Sequence, residues 1–269
     1  MIHGAVLGSP ISHSLSPVLH RAAFEFLDVQ GTYSAIDVPS GSLKDFIIAR
    51  GSEFDYLSLT MPLKEEVLSL DVLRDSLTER IQSGNTLMRR DGAWSLTSTD
   101  GSGFAAALSH AGLFNFDSVL ILGAGGTARA VAGALDDIST HLHVLGRSSI
   151  RQEALESAVK SASFQYLKWS FDIDFSAYDL VVNTTPAGAA DLLANCVHQN
   201  EAHTLFDVIY KPWPTELAQR WSDSGGMVIN GLELLLYQGF DQLELVMGEP
   251  LDRESLATHI RPILLKAAR

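Results

Sequence analysis

The sequence has little cysteine and little positive charge, and it has no long apolar run. Its only cysteine is Cys196, so no internal disulfide framework can form, and such usage fits a reducing compartment. Lys and Arg number 19 against 32 Asp and Glu, for a formal net charge of −13. A surface that acidic disfavours nucleic acid and anionic membranes. It leaves room for a small anionic substrate held by local donors. No stretch reads as a transmembrane helix, and the N-terminus opens on a short alternating segment rather than a charged-then-apolar signal peptide. These absences predict a cytoplasmic protein with a small-molecule substrate and neither nucleic-acid nor membrane partners. The nine histidines are scattered without metal-ligand spacing, which predicts no metal. Low-complexity tracts and obvious repeats are missing too. What the chain does have is apolar content, 46% of 269 residues, enough for one large or two modest domains.

The most informative stretch is Val119-Leu120-Ile121-Leu122-Gly123-Ala124-Gly125-Gly126-Thr127-Ala128-Arg129-Ala130. Four apolar residues run into a glycine cluster, and the cluster runs into Ala-rich sequence. That order predicts a buried strand, a tight turn and the first turn of a helix. Gly123 allows the turn, Gly125 lets the backbone approach a pyrophosphate, and Ala128 is small where helix and strand pack closely. Free N–H groups at the helix start then face an anion. A dinucleotide site over 123–128 is the expectation; a plain strand–helix turn is the simpler alternative.

Around that stretch the chain reads as follows. A strand over 2–7 ends at Gly8, before Ser9-Pro10-Ile11-Ser12-His13-Ser14-Leu15-Ser16-Pro17. Ser16 suits a helix N-cap and Pro17 the first helical position. Val18/Leu19, Ala22/Ala23 and Phe26/Leu27 then recur at helical spacing. Capping needs one hydroxyl, and Ser12, Ser14 and Ser16 offer three, so a cap and a carboxylate cradle are both open. A strand over 32–38, a helix over 43–49 and a strand over 54–60 lead to Met61-Pro62-Leu63-Lys64. A lysine just past a strand end stands where α/β proteins place functional groups. The plainer reading is a solvated residue at a helix start. Gly84-Asn85-Thr86-Leu87 opens a hairpin turned by Asp91-Gly92. Its return strand reaches Asp100, before a helix starting near Gly103, and Asp100 also suits a helix cap.

From Asp117 strands and helices alternate: strand 118–122, helix 126–137, strand 141–146, helix 152–161, strands 178–182 and 205–208, helix 213–223 and strand 227–229. Such alternation implies a parallel sheet covered on both faces. A long helix follows Gly231, and a last helix starts near Asp252, where Pro262 should kink or interrupt it. The predicted fold class is therefore α/β with two α/β domains. Residues 1–100 form a substrate-binding and catalytic domain, completed by C-terminal helices of 231–269 packing back on it. Residues 101–230 form a Rossmann-type doubly wound parallel sheet. A cleft between them is the expected substrate site.

The cofactor can be read from one absence. The second strand of a dinucleotide fold usually ends in Asp or Glu, which binds the ribose 2′-hydroxyl. Here the strand ends Gly146-Arg147-Ser148-Ser149. A carboxylate would repel a 2′-phosphate, whereas a guanidinium binds it bidentately. The expectation is NADP over NAD. Thr184 and Thr185 follow a buried strand at its carboxyl end and are placed to line the cofactor's other side.

Taken together, SPISHSLSP near the start, LTMPLK at 59–64, GNTL at 84–87, STDGSGF at 98–104, GAGGTARA at 123–130, NTTPAG at 183–188, DVIYKPWPTEL at 207–217 and Tyr237-Gln238-Gly239 come in the order seen in shikimate dehydrogenases. The chain resembles that family over essentially its whole length, and its actinobacterial type most. The resemblance implies NADP-dependent interconversion of 3-dehydroshikimate and shikimate, on the route to chorismate and the aromatic amino acids. It implies that Ser14 and Ser16 bind the substrate carboxylate. Thr60, Asn85, Asp100 and Gln238 would hold ring hydroxyls, and Lys64 and Asp100 would form the catalytic pair. Gly123, Ala124, Gly125, Gly126, Thr127 and Ala128, with Gly146, Arg147 and Ser148, would bind NADP. Tyr210 and Gly231 would lie near the nicotinamide and substrate. Family members occur as monomers and as homodimers.

Three positions depart from the commonest family pattern: Ser58 and Ser98 each stand where Asn is usual, and Gly146 replaces the Asn of Asn-Arg-Thr. Two alternatives stay open at this stage. One is an NAD-dependent quinate/shikimate dehydrogenase; the other is a non-catalytic ligand-binding regulator on the same scaffold, which should lose Lys64 and Asp100 first.

Overall fold

The structure is a computed structural model that describes residues 1–198 and 203–269. In chain order the first elements are β1 (Ile2–Gly8), α1 (Ser16–Phe26), β2 (Gly31–Asp37), α2 (Leu43–Arg50), β3 (Tyr56–Leu59), α3 (Leu63–Glu66), β4 (Leu73–Arg74), α4 (Ser76–Ile81), β5 (Thr86–Arg90) and β6 (Ala93–Thr97). Then come α5 (Asp100–His110), β7 (Phe116–Leu122), α6 (Gly126–Leu135), β8 (Ser139–Gly146), α7 (Gln152–Ala158), β9 (Ser163–Lys168), β10 (Leu180–Asn183), β11 (Thr204–Asp207), α8 (Glu216–Asp223) and β12 (Met227–Asn230). The chain closes with α9 (Gly231–Met247) and α10 (Arg253–Ala268). It divides into two compact units: Met1–Gly103 with Leu235–Ala267, and Phe104–Leu234 with Ala268–Arg269.

The first unit holds a mixed sheet in the order β2-β1-β3-β5-β6-β4. β1 pairs parallel with β2 and β3, β5 runs antiparallel to β3 and β6, and β4 is parallel to β6. The β5–β6 hairpin turns at Asp91-Gly92, both at positive φ (51° and 82°), the primed geometry that matches strand twist. One sheet face is apolar: Ala5, Leu7, Leu57, Leu59, Leu87 and Leu96 pack with Leu43, Leu63 and Val67. Burying each such Leu contributes about 1.5–3 kcal/mol. Alternation sends Tyr56, Ser58 and Thr86 to the other face, which carries buried polar groups.

The second unit holds an all-parallel sheet in the order β12-β11-β10-β7-β8-β9. Counted from β7, that is the doubly wound order 3-2-1-4-5-6, whose direction reverses between β7 and β10. Residues 119–122 are fully buried on both faces, as a covered parallel sheet requires. Leu120, Leu122, Val181 and Leu205 pack with Phe175 and with Leu217 and Trp221 of α8. No helix among the described residues is long and apolar enough to cross a membrane.

Several expected boundaries move. The N-cap position of α1 is Leu15, without a side-chain cap; Ser16 is the first helical residue, and its N–H donates to Ser14 Oγ at 3.3 Å. Asp100 begins α5 rather than preceding it. The helix expected over 152–161 ends at Ala158, because 163–168 forms the unexpected edge strand β9 beside β8. The helix expected from 213 starts at Glu216, where Thr215 Oγ1 accepts from the Ala218 N–H at 3.0 Å. Pro262 lies inside an uninterrupted α10, whose buried face is Leu256, Ala257, Ile260 and Leu264. Tertiary burial of that face outweighs the lost backbone bond.

Candidate active site

In the first unit β6 runs parallel to β3, with antiparallel β5 between them. The carboxyl ends of β3 and β6 and the start of β5 therefore share one sheet edge. Lys64 follows β3 on α3, Asp100 follows β6 at the start of α5, and Asn85 immediately precedes β5. The edge brings them together: Lys64 Nζ donates to Asp100 Oδ2 at 2.5 Å. The two side chains are 18% and 5% exposed, so the pair is largely desolvated. Charge-assisted bonds of this kind are the strong ones. Removing one partner of a buried pair strands the other, at a cost of about 3–5 kcal/mol.

The second carboxylate oxygen is also occupied. Asn85 Nδ2 donates to Asp100 Oδ1 at 2.8 Å and to Thr99 Oγ1 at 3.0 Å. The Thr99 N–H donates back to Asn85 Oδ1 at 2.8 Å, which fixes the amide. Gln238, on α9, brings Oε1 to Asn85 Nδ2 at 3.3 Å, although 153 residues separate the two. The loop after β1 reaches the same edge, since the Ser9 N–H donates to the Met61 carbonyl at 3.0 Å. That loop carries Ser14, which is half-buried, and leads to Ser16, which is buried. Thr60, beside Met61, is half-buried, and its N–H donates to the Leu7 carbonyl at 2.9 Å. The edge thus offers hydroxyls, two amides, an ammonium and a carboxylate. Such a set can orient a small polyhydroxy acid and move one proton.

In the second unit β7 is followed by Gly123 at φ +104°, where a Cβ would sit 2.7 Å from Thr184 Oγ1. Both the backbone conformation and the contact require glycine. Gly125 occupies the N-cap of α6 and no side chain caps that helix. A Cβ at Gly125 would meet only Arg151 Nη1, at 3.8 Å, which puts the Arg151 guanidinium close to the start of α6. Ala128 is fully buried. Thr184 Oγ1 donates to the Leu122 carbonyl at 2.8 Å, and Thr185 Oγ1 to Asn183 Oδ1 at 2.7 Å. Asn183 Nδ2 in turn donates to Asp207 at 3.1 Å. Burial pushes the Asp207 carboxyl above its ordinary value.

Arg147 is exposed at the end of β8, its guanidinium 5.2 Å from the centre of the Trp169 ring and bonded to the Ala189 carbonyl at 3.2 Å. Ser148 Oγ accepts from the Ile150 N–H at 3.4 Å. Gly146 is explained by β9: a Cβ there would lie 1.8 Å from Tyr166 Oη, whose hydroxyl donates to the Ser148 carbonyl at 2.6 Å. Tyr210 is half-buried after β11, and Gly231 is glycine because a Cβ would meet the Val208 carbonyl at 2.0 Å. Sequence reasoning missed Arg151 and Thr99. The spacing Arg147-x-x-x-Arg151 and the hydroxyl beside Asp100 were the available signals. An uncapped helix start and two guanidinia, with no carboxylate ending β8, fit a dinucleotide bearing an extra phosphate. Among the described residues no cluster of His, Cys, Asp and Glu could hold a metal.

Comparison with known proteins points the same way. The family model for the shikimate dehydrogenase substrate binding domain matches residues 6–87. A Methanococcoides burtonii protein named shikimate dehydrogenase (NADP(+)) is 35% identical over 250 residues, 91% of this chain and 92% of its own. The crystal structure of Mycobacterium tuberculosis shikimate dehydrogenase has a TM-score of 0.84 at 33% identity, covering 97% of this chain and 100% of that one. Shikimate 5-dehydrogenase from Thermus thermophilus, solved in complex with NADP(H) and shikimate, has a TM-score of 0.84 at 31% identity, covering 98% and 100%. With relatives of this similarity spanning both α/β units, the chain belongs to the shikimate dehydrogenase family.

Proposed function

We infer that this protein is an NADP-dependent shikimate dehydrogenase that reversibly reduces 3-dehydroshikimate to shikimate, within chorismate and aromatic amino acid biosynthesis. The observation that carries the reading is the Lys64–Asp100 pair, 2.5 Å apart and largely buried at a sheet edge lined with hydroxyls and amides. A non-catalytic regulator has no use for a desolvated proton-transfer pair. The protein acts on a small molecule in the cytoplasm, not on nucleic acid or a membrane.

In the first unit, Ser14 and Ser16 take the substrate carboxylate, while Thr60, Asn85, Asp100 and Gln238 take ring hydroxyls. In the second, the glycine turn of 123–128 takes the pyrophosphate at the start of α6, Thr184 and Thr185 line the cofactor, and Arg147, Ser148 and Arg151 take the 2′-phosphate. When bound, NADPH supplies the hydride that adds to the carbonyl carbon at C3. Lys64 Nζ donates its proton to the alkoxide oxygen that develops there, which stabilises the charge as it forms. Asp100 keeps the ammonium oriented and accepts a hydrogen bond from a neighbouring ring hydroxyl. In oxidation the proton returns to Lys64 from the C3 hydroxyl.

The direct test is NADPH oxidation with 3-dehydroshikimate. Lys64→Met keeps the stem and removes the ammonium. An interaction made mainly in the transition state lowers kcat with little change in KM. The expected loss in kcat is about 10²–10⁴, with shikimate still bound in calorimetry. A variant whose kcat stays within a few-fold of the wild type removes Lys64 as proton carrier.

A further inference from the structure

Ser58 and Thr86 stand opposite each other on antiparallel β3 and β5. Both are buried on the sheet face away from the leucine core. Gln242 lies four residues beyond Gln238 on α9, hence on the same helix face, and it is fully buried. Its Oε1 accepts from Ser58 Oγ at 2.8 Å, and Ser58 Oγ accepts from Tyr33 Oη at 2.6 Å. Its Nε2 donates to Thr86 Oγ1 at 2.9 Å, and Thr86 Oγ1 donates to Asn85 Oδ1 at 2.8 Å. Asn85 Nδ2 then donates to Asp100 Oδ1, whose other oxygen holds Lys64.

Every bond in this run points the same way, from the Tyr33 hydroxyl toward the Asp100 carboxylate. Burial pushes the Tyr33 hydroxyl well above its ordinary pKa, so it remains a donor. With Ser58 feeding Oε1, the Gln242 amide must turn Nε2 toward Thr86. The single Thr86 proton must then go to Asn85 Oδ1, which leaves Nδ2 for Asp100. A reversal at any link would set two acceptors face to face in a buried site, which costs far more than the bond contributes.

Resting on the dehydrogenase reading above, we propose that Gln242 is a positioning residue for the reaction: through Thr86 it adds a second hold on the Asn85 amide beside that of the Thr99 N–H, and so on the Asp100 carboxylate that orients Lys64. It touches neither substrate nor cofactor. Near-attack geometry tolerates little misplacement, so loss of the run slows turnover more than binding.

The test uses wild type, Gln242→Leu, Thr86→Val and the double variant, with kcat, both KM values and thermal melting for each. Thr86→Val keeps the shape at Thr86 and decides the matter if Gln242→Leu does not fold. Each folded single variant should lose roughly 10-fold in kcat, with a smaller rise in the KM for shikimate, whose hydroxyls Asn85 and Asp100 also hold, and the KM for NADP within about threefold. The double variant should be no more than about threefold worse than the weaker single, because both substitutions break one run. Unchanged kcat in folded variants, losses that fall mainly on KM, or multiplied losses in the double variant overturn the proposal. A wild type without turnover overturns the dehydrogenase reading itself. An active wild type with unimpaired variants overturns only the role of Gln242.

Discussion

At the scale of single residues, charge and burial make two measurable claims. Arg147 stands where NAD-binding folds carry a carboxylate, and Arg151 reaches over the glycine turn. Only NADP has the phosphate they suit. Arg147→Ala should cost NADP about 1.5–3 kcal/mol, seen as a raised KM, and leave the weaker use of NAD nearly unchanged. Equal losses for both cofactors, or a wild type that prefers NAD, would favour the NAD-dependent alternative. His20 makes the second claim. It is fully buried, stacked on Tyr33 at 4.0 Å and bonded to the Tyr56 hydroxyl at 2.7 Å, and burial lowers its pKa to about 3. Between that value and its ordinary 6.5 the unfolded chain binds a proton that the folded chain refuses. Stability therefore falls as pH drops through this window, by up to about 1.4 kcal/mol per pH unit from this group. Urea unfolding from pH 6 to 4.5 should show a shallower slope for His20→Phe than for wild type. Parallel slopes would mean that the folded protein takes up the proton.

At the scale of elements, close approach between helices sets the site as much as the side chains do. A Cβ at Gly103 on α5 would lie 2.5 Å from the Gln238 backbone nitrogen on α9. The two helices can carry Asp100 and Gln238 to one site only if that position has no side chain. Gly103→Ala should force them apart, at about 1–3 kcal/mol of overpacking. A lower melting temperature and a raised KM for shikimate, with the KM for NADP unmoved, is the expected pattern. An unaltered Tm would show that the helices yield freely. The strand ends beside this site were readable from the sequence: Lys64 and Asp100 each follow an apolar strand, and carboxyl ends of parallel strands share an edge. The short or polar elements were not. β4 has two residues and both are exposed, and no residue of β9, at the sheet margin, is fully buried. Only pairing with a neighbouring strand makes either segment a strand.

At the scale of the molecule, the balance of charge matters more than any one pair. A formal charge of −13 repels itself, and salt screens that repulsion over a Debye length of about 10 Å at 0.1 M. Raising NaCl from 20 to 200 mM should therefore move the urea midpoint upward, by a stability gain on the order of 1 kcal/mol. A falling midpoint would mean that the ion pairs, such as Arg253 with Asp241 and Glu244, outweigh the excess charge.

The sequence by itself determined the alternation of strand and helix, the parallel second sheet, the glycine turn and the family, because these rest on local periodicity and on residues adjacent in the chain. Tertiary structure alone decided the rest. Gln238 and Gln242 reach Asn85 and Thr86 across more than 150 residues, and nothing local marks which face of α9 they occupy. Gly146 departs from the family pattern, and the reason lies 20 residues on, where Tyr166 fills the space a side chain would need. Ser16 suits a cap by its side chain, and the sequence leaves cap and cradle both open, yet the helix begins at Ser16 itself, with Leu15 in the cap position. A buried polar group takes its partner from whatever the fold brings within about 3 Å, and chain neighbours do not specify that.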